Sequence, residues 1–277
     1  MPDSLDLDAY FARIGYEGPR EPTLAVLRGL HDRHPRSIPF ENLDPLLQRP
    51  PRLDLASLQA KLVAARRGGY CFEHNSLFGA VLRALGFQVT NLAARVEWMV
   101  PEGVVNPRTH MLLRVDLPEG PYMADVGFGG LVKTAPLRLE PEVEQEAGGF
   151  RFRLVPYGAP PDEQLQLQVK LADGWTPMYR FGPTPQLPID YELANWFVAT
   201  HPDSPFVSGL MGAFVAGDRR YGLRDNQLTV RYADGRVERR ELTPDELAEL
   251  LHGEFGLGVP EDEAAVSALY RRLASGS

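Results

Sequence analysis

The sequence predicts an α+β multidomain fold, with a helical N-terminal part, a β-stranded central part and a mixed C-terminal part. Apolar residues recur at helical spacing through residues 1–86, alternate with a period of two from residue 87 to about 181, and show both patterns after that. The 277 residues allow one large domain or two to three small ones, and a hydrophobic content of 44% is enough for real cores.

Four helices are predicted in the N-terminal part. The first stops at Gly15, and the second is capped by Thr23 and ends before Pro35. The third and fourth are marked by apolar residues at helical spacing, namely Leu55, Leu58 and Leu62, then Leu77, Phe78, Val81, Leu82 and Leu85 before Gly86. Between them lies an apolar turn, residues 38–43 (IPFENL), which is either a hydrophobic plug between helices or a pocket wall.

The central part alternates apolar and polar residues in short segments, which indicates an antiparallel sheet or a small barrel. The strand candidates are residues 89–96, 110–115, 122–126, 150–154 and 165–169. A proline-rich linker over residues 183–188 then precedes a short helix over residues 189–199.

The C-terminal part begins with a hairpin signal, Asp234-Gly235, between two alternating segments. Thr243 and Glu246 have capping-box spacing with a proline at the first helical position, so a helix should run to about His252. A last amphipathic helix is predicted from the spacing of Ala265, Val266, Leu269, Tyr270 and Leu273.

Composition excludes several classes of function. The net charge of −8 and a pI near 5.3 argue against nucleic acid as the main partner. A single cysteine cannot form an intrachain disulfide or a two-cysteine metal site. No run of eighteen apolar residues occurs and the N-terminus has no signal-like region, so we expect no membrane segment and a cytoplasmic location.

The only cysteine, Cys71, lies in the segment RGGYCFEHN (residues 67–75), after two glycines that allow unusual backbone angles and close approaches. It precedes the fourth predicted helix, whose unpaired N–H groups and positive end favour a thiolate and can stabilise an oxyanion. Cys71 is therefore a candidate nucleophile. The alternative is a small buried hydrophobic residue, which is the usual role of a free cysteine.

His110 is the best candidate partner among the six histidines. It opens an apolar strand that leads, after a short turn, to Asp125 in an otherwise apolar strand, and neighbouring antiparallel strands can place the two side chains opposite each other. A neutral histidine can take the proton of a thiol, and a carboxylate on its far nitrogen fixes the tautomer. The pattern predicts a triad of Cys71, His110 and Asp125.

The other five histidines have simpler explanations. We expect His31 and His34 to be solvated at the end of a surface helix, and His252 to be favoured by a helix C-terminus. His74 either shares a helical face with the cysteine or supports its turn, while His201 lies in a loop and stays ambiguous.

Metal binding and phosphate binding are weaker interpretations of the same residues. Cys71 and His74 form a C-x-x-H pair, but no second compact cluster exists, so no metal is predicted. Residues 127–130 (GFGG) lack the P-loop arrangement and are better interpreted as backbone clearance for a ligand near the aspartate.

Six segments resemble the arylamine N-acetyltransferases, in order and over essentially the whole chain. They are YFARIGYEG (10–18), IPFENL (38–43), RGGYCFEHN (67–75), THML (109–112), DVGFGG (125–130) and, together with Asn195, THPDSPF (200–206). The resemblance implies a cysteine-protease-like triad of Cys71, His110 and Asp125 used for acyl transfer. It also implies three domains: a helical bundle (1–86), an antiparallel β-barrel (87–185), and an interdomain helix with an α/β lid (186–277).

The resemblance further implies a ping-pong reaction, in which acetyl-CoA acetylates the cysteine, CoA leaves, and an arylamine, arylhydrazine or arylhydroxylamine takes the acetyl group. The residues that match the acceptor pocket wall are Phe40, Phe128 and Phe206, and those that match the cofactor groove are Trp98, Thr109 and Gly129. Core packing is the alternative role of the three phenylalanines. Arg67 and Asn75 match the polar residues that support the nucleophile in this family. Whether the protein forms a homodimer stays open.

Three other functions remain open at this stage. An amide synthase of the same fold, acting on an acyl chain from a carrier protein, would have the identical triad and a wider cleft. A thiol hydrolase would use water as the acceptor, and a binding module would have kept only the fold. The intact triad argues against the last.

Overall fold

The computed structural model describes residues 5–101, 103–257, 264 and 267–270. Its helices are α1 (Leu7–Ile14), α2 (Leu24–Ser37), α3 (Leu43–Leu46), α4 (Leu55–Leu58), α5 (Cys71–Ala84), α6 (Pro188–Thr200), α7 (Pro205–Ser208) and α8 (Pro244–Glu249). Two π-helical turns, Gln59–Ala64 and Leu250–Glu254, continue α4 and α8. Within the described ranges, no helix is both long and apolar enough to cross a membrane.

The strands form two antiparallel sheets. In chain order they are β1 (Phe40–Glu41), β2 (Gln88–Val96), β3 (His110–Leu117), β4 (Gly120–Ala124), β5 (Leu137–Arg138), β6 (Gln145–Ala147), β7 (Phe150–Tyr157), β8 (Gln164–Leu171), β9 (Gly174–Phe181), β10 (Met211–Ala216), β11 (Arg219–Arg224), β12 (Gln227–Tyr232) and β13 (Val237–Glu241). The larger sheet has the order β5-β4-β3-β2-β9-β8-β7-β6 and is a nearly closed barrel, which confirms the predicted α+β fold.

The smaller sheet has the order β1-β10-β11-β12-β13. Its last two strands are the hairpin predicted around Asp234-Gly235, with Val230 opposite Glu238. The β10-β11 hairpin was not predicted, and β1 joins this sheet from the N-terminal part through the pair Phe40 and Ala213.

Local signals explain the helix ends in the N-terminal part. The Asp6 carboxylate accepts from the Ala9 N–H and the Thr23 hydroxyl from the Val26 N–H, so both side chains cap the helices that follow. Gly15 closes α1 in the left-handed conformation with φ of 63°.

Helix α2 differs from its prediction because it continues through Pro35 to Ser37. The expectation that His31 and His34 are solvated is wrong, since both are fully buried. Together with Leu27 and Leu30 they lie on one face of α2, at the spacing of an amphipathic helix. That face packs into the core.

Three hydrophobic clusters make up the interior. The first joins α1, α2 and α5 to one side of β3 and β4, the second fills the barrel, and the third lies under the smaller sheet. Leu43 and Leu46 of α3 belong to the third cluster, so the chain order does not separate the cores. The division at residues 1–86, 87–185 and 186–277 stays a prediction.

The predicted C-terminal helix falls partly outside the described residues, which omit Ala265, Val266 and Leu273. Leu269 and Tyr270 are described, and both are buried in the third cluster.

Candidate active site

Cys71 is the first residue of α5 and is only 5% exposed. The Glu73 carboxylate accepts from the Tyr70 N–H at 3.1 Å and so caps the helix from inside its first turn. Lys61 donates to the other oxygen of Glu73 at 2.7 Å. The turn before the cysteine is thereby held by a buried, charge-assisted contact.

Two glycines are required near the sulfur for space. A Cβ on Gly68 would lie 2.3 Å from the Pro39 carbonyl oxygen, and one on Gly127 would lie 2.8 Å from the Cα of Cys71. Gly68 has no positive φ, so close approach rather than an unusual backbone angle explains this glycine. Gly127 lets the loop after β4 pack directly on the start of α5.

His110 and Asp125 meet at the ends of neighbouring strands. His110 opens β3, and Asp125 follows Ala124, the last residue of β4. The register pairs Leu113 with Ala124, so the two side chains are diagonal neighbours on one face rather than directly opposite. His110 Nε2 donates to Asp125 Oδ2 at 3.0 Å, and both residues are buried.

Asp125 accepts five hydrogen bonds. Its Oδ1 receives the Asn75 side chain at 3.0 Å and the Gly127 N–H at 3.1 Å. Its Oδ2 receives His110 and two further donors, the Tyr179 hydroxyl at 2.8 Å and the Lys133 ammonium at 3.1 Å. A fully buried carboxylate is thus held ionised and in one orientation.

The electrostatics favour a protonated His110. Burial alone would lower its pKa, but the Asp125 carboxylate and the hydrogen-bonding and charge contributions of Cys71 raise the pKa of His110 to about 9. Burial opposes the ionised form of Asp125, yet Lys133 and His110 hold the pKa of Asp125 well below its usual range. Cys71 itself contacts the Thr109 carbonyl oxygen, with Sγ at 3.6 Å. The arrangement favours an imidazolium at His110, held by the Asp125 carboxylate.

A buried ionic network lies behind the turn that carries Cys71. Lys61 contacts Asp44 at 2.6 Å and Glu73, while Arg67 contacts Glu41 at 2.9 Å and Asp44 at 3.1 Å. Burial raises the pKa of Glu73 to about 7 despite its contact with Lys61. Arg67 therefore supports the turn as predicted from sequence, through carboxylates rather than through the cysteine.

Three buried histidines surround the same region. Because the Pro39 carbonyl can only accept, His74 Nε2 carries the hydrogen of their 3.2 Å contact. His74 Nδ1 must then accept from His34 Nε2 at 2.9 Å, and His34 Nδ1 from the Tyr10 hydroxyl at 2.8 Å. His31 Nε2 accepts from the Asp125 N–H at 3.1 Å, so all three rings are neutral hydrogen-bonding supports.

These histidines make stability depend on pH. Burial lowers the pKa of His31 to about 3, that of His74 to about 4, and that of His34 well below its usual value. Below about pH 6.5 the unfolded chain therefore binds three protons that the folded chain does not. Glu73, with its raised pKa, offsets one of them by binding a proton in the folded state. His110 is protonated in both states there and contributes no slope.

We expect the free energy of unfolding to fall by roughly 3 kcal/mol per pH unit between pH 6 and pH 5, because two net protons favour the unfolded state. Urea unfolding over this range measures it. The variant His34→Gln removes one titrating ring and should halve the slope. A stability that is constant over this range would contradict the buried, neutral assignment.

Comparisons with known proteins identify the family. The family model described as N-acetyltransferase matches residues 23–264. An arylamine N-acetyltransferase of Mycobacterium bovis is 43% identical over 265 residues, which cover 93% of this chain and 91% of that protein. The chain belongs to the arylamine N-acetyltransferase family. It is accordingly an enzyme of the acyltransferase class.

Solved structures of arylamine N-acetyltransferases share the whole architecture. That of Mycobacterium marinum superposes with a TM-score of 0.92 at 40% identity, covering 97% of this chain and all of that one. The M. marinum enzyme in complex with CoA superposes with a TM-score of 0.89 at 40% identity, covering 98% and 99% of the two chains.

Three half-buried phenylalanines lie around the cysteine of this arylamine N-acetyltransferase family member. The Phe40 and Phe206 ring centroids are 6.2 Å apart, and Phe206 lies 5.6 Å from Tyr70, next to the cysteine. Phe128 packs edge-on against His110 at 5.4 Å. Two of these rings therefore lie beside Tyr70 and the third beside His110, and their role as the acceptor pocket wall stays a prediction.

The turn at residues 38–43 connects the region around Phe40 and Phe206 to the smaller sheet. The Asn42 side chain donates to the Phe206 and Gly209 carbonyls, both at 2.8 Å, and accepts from the Met211 N–H at 2.6 Å. The turn is therefore buried structure that fixes the backbone of Phe206, and its role as a pocket wall stays a prediction.

The residues predicted for a cofactor groove lie in two places. Thr109 presents its carbonyl to Cys71, and Gly129, with φ of 86°, lies against the Phe40 ring. Trp98 is farther along the barrel edge, where the Arg231 guanidinium lies 6.0 Å from its ring centroid.

Sequence reasoning did not identify Tyr179 and Lys133, which contact Asp125 directly. Tyr179 belongs to β9, a strand that was not predicted. Lys133 could have been noticed in the sequence, because it is the single charged residue in the mostly apolar segment LVKTAPL. Among the described residues, no group of three or more His, Cys, Asp or Glu side chains could hold a metal ion.

Proposed function

We propose that this protein transfers the acetyl group of acetyl-CoA to an arylamine, arylhydrazine or arylhydroxylamine by a ping-pong mechanism through acetyl-Cys71. The observation that carries the proposal is the buried hydrogen bond between His110 and Asp125, with Cys71 at the start of α5 close enough to raise the pKa of His110 and with aromatic rings nearby. The CoA complex of the M. marinum relative supports a CoA thioester as the donor.

In the first half-reaction the Cys71 thiolate attacks the thioester carbonyl. The oxyanion that forms lies near the first N–H groups of α5, which can donate to it. When the carbon–sulfur bond to CoA breaks, His110 supplies its proton and CoA leaves as a thiol. Asp125 keeps the imidazole in place and stabilises its charge.

In the second half-reaction the amine nitrogen attacks the acetyl-Cys71 carbonyl. His110 takes a proton from the nitrogen, the bond to Sγ breaks, and the thiolate is restored next to the imidazolium. Water is the competing nucleophile. The rings of Phe40, Phe128 and Phe206 favour aminolysis because they exclude water and receive a planar aromatic acceptor.

Steady-state kinetics and mass spectrometry test the proposal together. Double-reciprocal plots at several arylamine concentrations should be parallel, and the protein incubated with acetyl-CoA alone should carry one acetyl group on the peptide containing Cys71. Adding an arylamine or hydrazine should remove that group. Intersecting lines without an adduct would contradict the proposal. Acylation by carrier-bound acyl thioesters only would indicate the amide synthase, and rapid loss of the adduct to water would indicate the hydrolase.

The aromatic pocket gives a separate prediction. Phe206→Ala removes a ring from the acceptor side, so discharge of acetyl-Cys71 by an arylamine should slow about tenfold, whereas CoA release in the first half-reaction should stay unchanged. Phe197→Ala, at a half-buried ring stacked on His201, is the matched control and should change neither step. Equal slowing of both half-reactions would show that Phe206 only maintains the fold.

A further inference from the structure

Lys133 is a fully buried lysine in direct contact with the carboxylate of the proposed triad. It lies in the loop after β4, and both Lys133 and Asp125 have side chains that are 0% exposed. Lysine is almost never fully buried unless its charge is paired. The mechanism proposed above assigns it no role.

The contacts of the ammonium are specific. Nζ lies 3.1 Å from Asp125 Oδ2 and 3.1 Å from the Tyr179 hydroxyl, which itself donates to the same Oδ2. Nζ also lies 5.2 Å from the ring centroid of Tyr179 and 5.9 Å from that of Phe128. His110 donates to the same carboxylate oxygen, so Lys133 and His110 are separated by two hydrogen bonds.

The buried Arg220 guanidinium of β11 contacts the Val132 carbonyl and the Thr134 hydroxyl, on either side of Lys133 in the chain. Other titratable groups lie around Lys133 and its partner Asp125. They are Asp125 at the end of β4, His110 of β3, Tyr179 of β9 and His31 of α2, with Cys71 of α5 beyond His110. His31 is neutral at the pH of catalysis, since burial and the Lys133 charge lower its pKa to about 3. Tyr179 is also neutral there, because burial and Asp125 raise its pKa well above its usual value.

Among the groups joined through Asp125, the charges therefore balance only when Lys133 is included. A thiolate, an imidazolium, a carboxylate and an ammonium sum to zero, whereas the three members of the triad alone sum to −1. A buried positive charge near His110 and Cys71 opposes the uptake of any further proton.

We propose that Lys133 is a positioning residue of this acyltransferase, which holds Asp125 through Oδ2 and sets the pH range in which Cys71 and His110 form the reactive ion pair. The inference rests on the proposed function, because it takes the triad as the acylating machinery. It assigns to the lysine a charge-dependent role that a neutral side chain of the same shape could not perform.

The test is the pH profile of the burst rate of CoA release from acetyl-CoA, compared between wild type and Lys133→Met. Wild type should give a bell-shaped profile. Removing the cation should shift both limbs upward by about 1 to 2 pH units. Tyr179→Phe is the matched control, since it removes a donor to the same oxygen without changing the charge, and its limbs should stay within about 0.3 unit of wild type.

Each outcome has a separate meaning. A Lys133→Met profile with a lower maximum but unshifted limbs would show a merely structural lysine and overturn the proposal. A wild type without any burst would instead overturn the proposed function itself. If Lys133→Met does not fold, ¹⁵N NMR of the three lysines of the native protein, Lys61, Lys133 and Lys170, still decides the point. The proposal requires a charged Lys133 at pH 7.5, and a neutral amine would overturn it.

Discussion

Replacing Asp125 by asparagine should slow acetylation of Cys71 about 10³- to 10⁴-fold. The carboxylate accepts from His110, Lys133 and Tyr179 through one oxygen, and an amide has no negative charge to balance the imidazolium and the ammonium. In the serine-protease triad, the same exchange costs about 10⁴ because the histidine adopts the wrong tautomer. The burst rate of CoA release at pH 7.5 is the measurement.

The control for this variant is Asp116→Asn. Asp116 lies on the same strand as His110, but its side chain is 43% exposed and pairs with Arg114 on the surface. It should keep the wild-type burst rate. Urea unfolding of both variants shows whether the Asp125 variant is folded, which matters because it leaves Lys133 buried without a counter-charge. A folded Asp125→Asn protein with a rate within tenfold of wild type would contradict the triad.

Replacing Lys61 by methionine should lower the free energy of unfolding by about 3–5 kcal/mol. Its ammonium lies between Asp44 and Glu73, at 2.6 and 2.7 Å, and Glu73 is 1% exposed. Removing one partner of a buried ion pair leaves an uncompensated charge, which is more costly than losing the attraction itself. Urea unfolding at pH 7.5 measures the loss.

Two further variants separate charge from packing. Lys61→Met combined with Glu73→Gln removes one of the uncompensated charges and should recover part of the lost stability. Lys170→Met changes an exposed lysine on β8 that lies 5.6 Å from the Trp175 ring, so it should alter stability by about 0.5 kcal/mol or less. If Lys61→Met were as mild as Lys170→Met, the network behind Cys71 would not be structurally important.

The helices and the clearest strands could be predicted from the sequence because their signals are local. Thr23 caps α2, and Asp234-Gly235 connects β12 and β13. Strand β9 was missed because Pro177 interrupts its alternation, at a bulge opposite Gln168. The end of α2 was placed too early because a proline in the last turn loses only one hydrogen bond of the helix.

The candidate site could be predicted only in part. The proximity of Cys71, His110 and Asp125 was predicted from a nucleophile motif and from two neighbouring strands. Tyr179 lies 54 residues from Asp125, so their contact depends on the closure of the barrel and left no local signal. The helical spacing of His31 and His34 indicated burial, which the structure shows, but their polarity favoured the prediction that they are exposed to solvent.

The most direct test of the account is stopped-flow release of CoA on mixing acetyl-CoA with wild type and with Cys71→Ala, without any amine. The account predicts a burst of one CoA per wild-type active site, one acetyl group on the peptide that contains Cys71, and no burst or adduct in the variant. A wild-type protein that releases no CoA, or a Cys71→Ala protein that retains the burst, would contradict it.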